Sequence, residues 1–197
     1  MMFKELLAMS LVGATAAISL SSLNEMSGRQ ASNTSMQRPA EGVADFQKRV
    51  QAYVALQKKV AAQLPGLQYR ATPEDIEARR TAMFKLMTAA RAGARKGDVF
   101  GPAMADDLRT RLGNVIRGPN GAQMLNAIYD EPHAVVLVVN SWYPDDVPLS
   151  TMPTEILKVL PELPKSLEFR FVGRHLILMD VPAQLIVDVV ENALPEK

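Results

Sequence analysis

Cysteine is missing from this chain of 197 residues, and histidine occurs only twice, as His133 and His175. The first absence excludes disulfides, thiolate nucleophiles, cysteine-ligated zinc, iron–sulfur clusters and the lipid-modified cysteine of a bacterial lipoprotein. The second leaves zinc only where carboxylates complete the set, because a structural site takes roughly four protein ligands and a catalytic one about three. Neither a metal site nor a cofactor is expected. Glycine motifs that cradle phosphate are absent too: no Gly-x-Gly-x-x-Gly follows a strand, and no Gly-x-x-x-x-Gly-Lys-Ser/Thr occurs. Beyond the first two dozen residues no apolar stretch approaches membrane-spanning length, since Ala134 to Val139 is only six residues. The mature chain is therefore expected to be soluble, with no transmembrane helix.

An excess of either charge is also lacking, with 22 basic against 21 acidic residues. The near-neutral total hides two opposed parts. Residues 44–118 hold 14 Lys or Arg and 7 Asp or Glu, whereas residues 119–197 hold 5 and 11. Two solvated faces of one domain explain this asymmetry. An alternative is an exposed basic surface, formed by Lys48, Arg49, Lys58, Lys59, Arg79 and Arg80, for an anionic partner.

What the chain does contain begins with residues 1–22, which read as a secretory signal. Lys4 follows the amino terminus, Leu6 to Leu20 is a run of about 15 apolar or small residues, and Ala14-Thr15-Ala16 or Ser19-Leu20-Ser21 could be cleaved. Residues 23–43 are rich in Ser, Asn, Gln and Arg and read as a flexible polar tether. Residues 44–197 then have the size of one domain. Export together with the absence of cysteine fits a bacterial periplasm or exterior.

The first half of that domain has helical periodicity. Phe46, Val50, Tyr53, Val54, Val60, Ala61 and Leu64 form one stripe that ends at Pro65-Gly66. Thr72, Pro73, Glu74 and Asp75 mark the start of a second helix, with Ile76, Met83, Phe84, Met87 and Ala90 on its apolar face and Gly97 after its last turn. A third helix opens at Gly101-Pro102 and closes at Gly118-Pro119. A fourth spans Gly121 to Tyr129.

The second half changes period. Ala134 to Asn140 is a β-branched run suited to a buried strand that Ser141, Trp142 and Tyr143 could extend. Five prolines between 144 and 164 force an extended path, broken by a short helix near Pro153 to Leu160. Leu167 to Asp180 reads as a hairpin turning at Gly173-Arg174, with Phe169, Phe171, Leu176 and Leu178 on one face. Pro182, Leu185, Ile186, Val189, Val190 and Ala193 read as a closing helix. The fold class is α+β, a helical half followed by a small sheet that contains the hairpin and by that helix.

The stretches Val139-Asn140, Tyr143-Pro144, Pro148 to Pro153, Leu160-Pro161 and Leu163-Pro164, and the tail from Leu167 to Asp188, resemble a group of exported bacterial proteins of unknown function. The resemblance covers roughly residues 134–194. It implies export and fold and transfers no site.

Candidate chemistry is thin. His175 lies near Asp180 and Asp188 in sequence, but the hairpin register puts it on the opposite strand face from Asp180, beside the turn. His133 follows Asp130, Glu131 and Pro132, a cluster that a polar loop explains as well as a cation site does. Ser150 and Thr151 have no nucleophile elbow around them. Asp106-Asp107 and Asp145-Asp146 are adjacent pairs whose side chains diverge. Trp142-Tyr143 is the one aromatic pair that could form a binding platform, unless one ring belongs to the core.

No catalytic residue is assigned. The leading expectation is a non-enzymatic domain that binds a cell-envelope component through Trp142, Tyr143 and the segment from Asp145 to Pro153. The rival is a small hydrolase using His133 or His175 with nearby carboxylates. No nucleic-acid partner is expected.

Overall fold

The computed structural model describes residues 20–68, 70–129, 136–145, 147 and 152–196, with side chains described from residue 40 onward. The signal-like segment before Leu20, the Asp130–Pro132 cluster, His133, Asp146, Pro148, Ser150 and Thr151 lie outside the described residues. Two compact units divide at Met36/Gln37. Helix α1 spans Leu20–Ala61, so residues 23–43, expected to form a tether, have helical backbone. Everything below concerns the second unit, Gln37–Lys197.

Phe46, Val50, Tyr53 and Val60 of α1 are buried, as the stripe requires, and Gln57 is buried among them. The helix ends in a turn before Pro65. Helix α2 (Pro73–Ala90) starts with a reciprocal cap: Thr72 Oγ1 accepts from Asp75 N at 3.2 Å, and Asp75 Oδ2 accepts from Thr72 N at 2.9 Å. Such a box satisfies donors that the first helical turn leaves open. Met83 and Met87 are buried, whereas Ile76, expected on the same face, is 45% exposed, as are its neighbours in the first turns of α2. Arg91 caps this helix, so it stops short of the expected Gly97, whose φ of +88° suits the loop.

Helices α3 (Gly101–Ile116) and α4 (Gly121–Tyr129) occupy the expected spans, and α5 (Thr154–Leu157) is the short turn expected among the prolines. Phe100 supplies no side-chain cap for α3. Asp188, remote in sequence, receives the N–H groups of Gly97, Val99 and Phe100 at 2.7 to 2.8 Å. The helical half is thereby tied to the sheet.

Strands β1 (Leu167–Val172), β2 (His175–Asp180) and β3 (Leu185–Val190) form an antiparallel sheet in the order β1-β2-β3. The hairpin register is the expected one, from Leu167 opposite Asp180 to Val172 opposite His175. Gly173 has φ +55° while Arg174 stays outside the positive-φ region, as a type II′ turn needs. One face places Phe169, Phe171, Leu176 and Leu178 in the main core, where the Phe46, Phe100 and Phe169 rings stack at 5.5 to 6.4 Å. The other face is covered as well: Val172, Ile177, Met179, Ile186 and Val189 form a second cluster with Tyr143.

Two expectations are corrected. The closing segment is strand β3, not a helix. Register shifts at Leu178/Met179, where Leu178 faces Asp188 but Met179 faces Ile186, leaving Val187 as an extra residue. The bulge sets same-face neighbours three apart, Val187 with Val190 and Ile186 with Val189. In sequence that spacing imitates a helix, and a strand buried on both faces offers no polar alternation to expose the imitation.

The strand expected over residues 134–143 is likewise irregular where it is described. Asn140 adopts φ +67°, a region that asparagine tolerates better than most residues, and breaks the ladder. Beyond it, Asn140 N, Ser141 O and Tyr143 N pair with Ile186 and Gln184 at 2.8 to 2.9 Å, and Trp142 makes an isolated bridge to Leu185.

Candidate functional site

The two rings of the aromatic pair lie in different surroundings. Tyr143 is 2% exposed within the second cluster, and Trp142, half-buried, meets Phe84 edge to face at 5.1 Å. Their alternation along an extended segment sends the rings to different surroundings.

His175 is half-buried near the turn, and its Nδ1 accepts from Asn192 N at 3.2 Å. Partial burial lowers its pKa, with Glu191 opposing that shift and Arg174 and Lys96 adding to it. Neither buried aspartate joins it. Asp188 is occupied by backbone N–H groups, and Asp180 accepts from the Tyr53 hydroxyl at 2.7 Å and from Ala183 N at 3.0 Å. Burial raises the pKa of Asp180 against the hydrogen bonds from Tyr53, Ala183 and Gln57 and the Arg91 charge, and burial and the Asp180 charge push the Tyr53 phenol upward. Arg91 sits over the Tyr53 ring at 5.1 Å and donates to Val187 O at 3.0 Å. This network bridges α1, α2 and the sheet. Among the described residues no cluster of three or more acidic or histidine side chains could hold a metal ion.

The described members of the adjacent aspartate pairs all have partners. Asp106 meets Arg109 and Asp107 meets Arg111, each at 2.7 Å along α3, while Asp145 accepts from Gln184. The six basic residues grouped by sequence separate in the structure. Arg49 pairs with Asp45 at 2.8 Å and donates to Asp98 O at 2.9 Å, a structural tie. Lys58 and Lys59 are exposed near the end of α1, and Arg79 and Arg80 lie on the facing side of α2.

Two cavities lie along α2, one shared with α1 and the other with the segment 64–68. One, of about 380 Å³, is walled by Gln57, Lys58, Ala61, Leu67, Ile76, Arg79, Arg80, Met83 and Pro182. The other, of about 310 Å³, is walled by Leu64, Pro65, Gly66, Leu67, Gln68, Asp75, Ala78, Arg79 and Ala82. Leu67 and Arg79 line both. The turn at Pro65-Gly66 and the box at Thr72 set this geometry, since together they reverse the chain and fix where α2 begins. Arg79 adds a hydrogen bond to Pro65 O.

The lining is chiefly apolar with a cationic rim. Leu67 and Ile76 are 50% and 45% exposed, an unusual state for large aliphatic side chains that stand together. Arg80 is shared between Glu77 at 3.0 Å and Asp145 at 3.9 Å, and Lys58 makes no ion pair among the described residues. Gln57 is 5% exposed, and its side-chain amide is turned toward the buried Asp180 carboxylate.

Sequence reasoning named Lys58, Arg79 and Arg80 as a surface but missed the cavities and Gln57. Gln57 stands four residues after Tyr53 and three before Val60, so its place on the buried stripe could have been read from periodicity. No protein-family model, curated protein or solved structure matches the chain.

Proposed function

We propose that this protein is an exported, non-enzymatic binding domain of the bacterial cell envelope, and that it holds an anionic partner on the surface between α1 and α2. The observation that carries the reading is the pair of adjoining apolar cavities rimmed by Lys58, Arg79 and Arg80. Large apolar side chains left half exposed beside cations are what an amphipathic anionic partner covers. The 14-to-7 basic excess over residues 44–118 supports the same sign of partner. Export rests on residues 1–22, whose composition fits a signal. No helix among the described residues is long and apolar enough to cross a membrane.

Retention on a polyanion resin and on anionic vesicles, at about 50 and about 300 mM salt, tests the reading, because exposed charges are screened over about 8 Å at physiological ionic strength. The protein should be held at low salt and released at high salt, and a variant with Lys58, Lys59, Arg79 and Arg80 changed to Gln should be held less. Equal retention of variant and parent at low salt would overturn it.

A further inference from the structure

We infer that the outer edge of β1 receives a short, extended, basic peptide segment of a partner protein, which pairs with the main chain of Phe169. This edge shares no wall residue with the α1–α2 cavities and acts independently of them. The strand order leaves one side of β1 without a neighbouring strand among the described residues. In an antiparallel pair, alternate residues exchange both main-chain bonds with the partner strand, and the residues between them turn theirs away. Residues flanking a two-residue turn belong to the bonded set, so Val172, Arg170 and Glu168 bond to β2, whereas Phe171, Phe169 and Leu167 direct N–H and C=O outward. Two bonds beyond the ladder agree with this parity: Val181 N donates to Ser166 O at 3.0 Å, and Leu167 N donates outward to Pro164 O at 2.9 Å. Phe171 is partnered as well. The Phe169 N–H and C=O, by contrast, have no hydrogen-bond partner among the described residues.

A cavity of about 370 Å³ lies at this place. It touches Leu167, Glu168, Phe169 and Arg170, consecutive residues whose side chains alternate between the two faces of the sheet, so it abuts the edge of the strand. Met152, Leu157, Leu160 and Leu163 make the rest of its wall chiefly apolar, with Leu157 52% exposed. A donor and an acceptor on one residue of a strand edge select an extended main chain, which offers the matching pair at ladder spacing. An alkyl chain would meet the apolar wall and leave the pair unbonded, and a helix spends its main-chain groups on itself. A second copy's β1 is disfavoured, because the Leu167–Pro164 bond and the engaged Phe171 bracket the edge on both copies and keep two such strands from zipping together. Charge sets the sign of the segment. Glu168 and Arg170 neutralise each other through bonds at 2.9 and 2.8 Å, whereas the exposed Glu162 in the wall makes no ion pair among the described residues. The excess of 11 acidic over 5 basic residues in 119–197 adds to that field, which a lysine or arginine beside the pairing residue complements.

Amide hydrogen exchange and amide chemical shifts of the isotopically labelled protein test this, with an acetylated, amidated pentapeptide of alternating lysine and valine as the probe. In the free protein the Phe169 amide should exchange about tenfold or more faster than the amides of Glu168 and Arg170, which the ladder holds. The peptide should shift and protect the Phe169 amide in a saturable way, with a dissociation constant of about 1 mM or tighter. Methylating the main-chain nitrogens of the peptide should weaken binding about tenfold, the scale of one lost hydrogen bond. Glu162→Lys, a change at an exposed position that should leave the circular dichroism spectrum intact, should weaken binding about fivefold. A peptide of alternating glutamate and valine should not compete. Slow exchange of Phe169 in the free protein, absence of a saturable shift there, equal binding of the methylated or acidic peptide, or parent-like binding by Glu162→Lys would overturn the inference. Protection of Phe169 that rises with protein concentration in the absence of peptide would assign the edge to a second copy and overturn it as well.

Discussion

The Tyr53 hydroxyl donates to Asp180 Oδ2 at 2.7 Å across 127 residues of sequence, joining the first helix to the end of β2. Tyr53→Phe removes this donor and leaves a buried carboxylate less well satisfied, at a cost of about 1 to 3 kcal/mol. Asp180 has a raised pKa, so the penalty of keeping it charged is absent below the unfolded carboxylate range and grows as pH rises through the folded value. The loss in Tyr53→Phe should therefore be larger near pH 7 than near pH 4. Urea midpoints of parent and variant at the two pH values check this.

Asp188 should be the most sensitive carboxylate in the domain. Asp188→Ala strands the N–H groups of Gly97, Val99 and Phe100 and should cost about 3 kcal/mol or more. Asp106→Ala removes only a surface pair with Arg109 and should cost under about 1 kcal/mol. Chemical denaturation of the two variants gives the order directly.

Phe171 is 1% exposed in the main core, and Phe171→Ala should cost about 3 to 5 kcal/mol. His175 behaves differently. Its neutral form accepts the Asn192 N–H, and its pKa is lowered, so its contribution is present above the unfolded histidine range and is lost as pH falls through the folded value. Parent stability should decline on acidification from about pH 7, with part of that slope missing in His175→Ala, as paired denaturant titrations would reveal.

Gly121 shows how little room the α3–α4 turn has. A Cβ at this position would lie 1.6 Å from the carbonyl oxygen of Ile116, which is backbone and cannot swing aside. Gly121→Ala should destabilise by about 3 kcal/mol or more, beyond the usual range of overpacking. A shift of the thermal midpoint by only a degree or two would contradict this packing.

Legibility followed how locally each feature was encoded. The Thr72 box and the Gly173-Arg174 hairpin were readable because caps and two-residue turns depend on neighbours in sequence. Strand β3 was misread because the bulge at Val187 gave it helix-like spacing. The burial of Asp180 and Asp188 depends on partners far away in the chain, such as Tyr53 and the N–H groups of Gly97, Val99 and Phe100, and composition carries no trace of it. Trp142-Tyr143 attracted attention as an aromatic pair, but which ring is buried depends on how residues 140–143 pair with β3.

Export has its own test. With residues 1–22 removed as a signal, a tagged full-length chain should appear outside the cytoplasm, shorter by about 2 kDa. Full-length chain retained in the cytosol would contradict that reading.

The most direct test of the α1–α2 surface is a map of backbone amide shifts as a soluble polyanion is added to the isotopically labelled protein. The largest changes should fall on Lys58, Leu67, Ile76 and Arg79, residues that wall the cavities. Changes centred instead on Trp142 and Tyr143, or on the turn beside His175, would contradict the account.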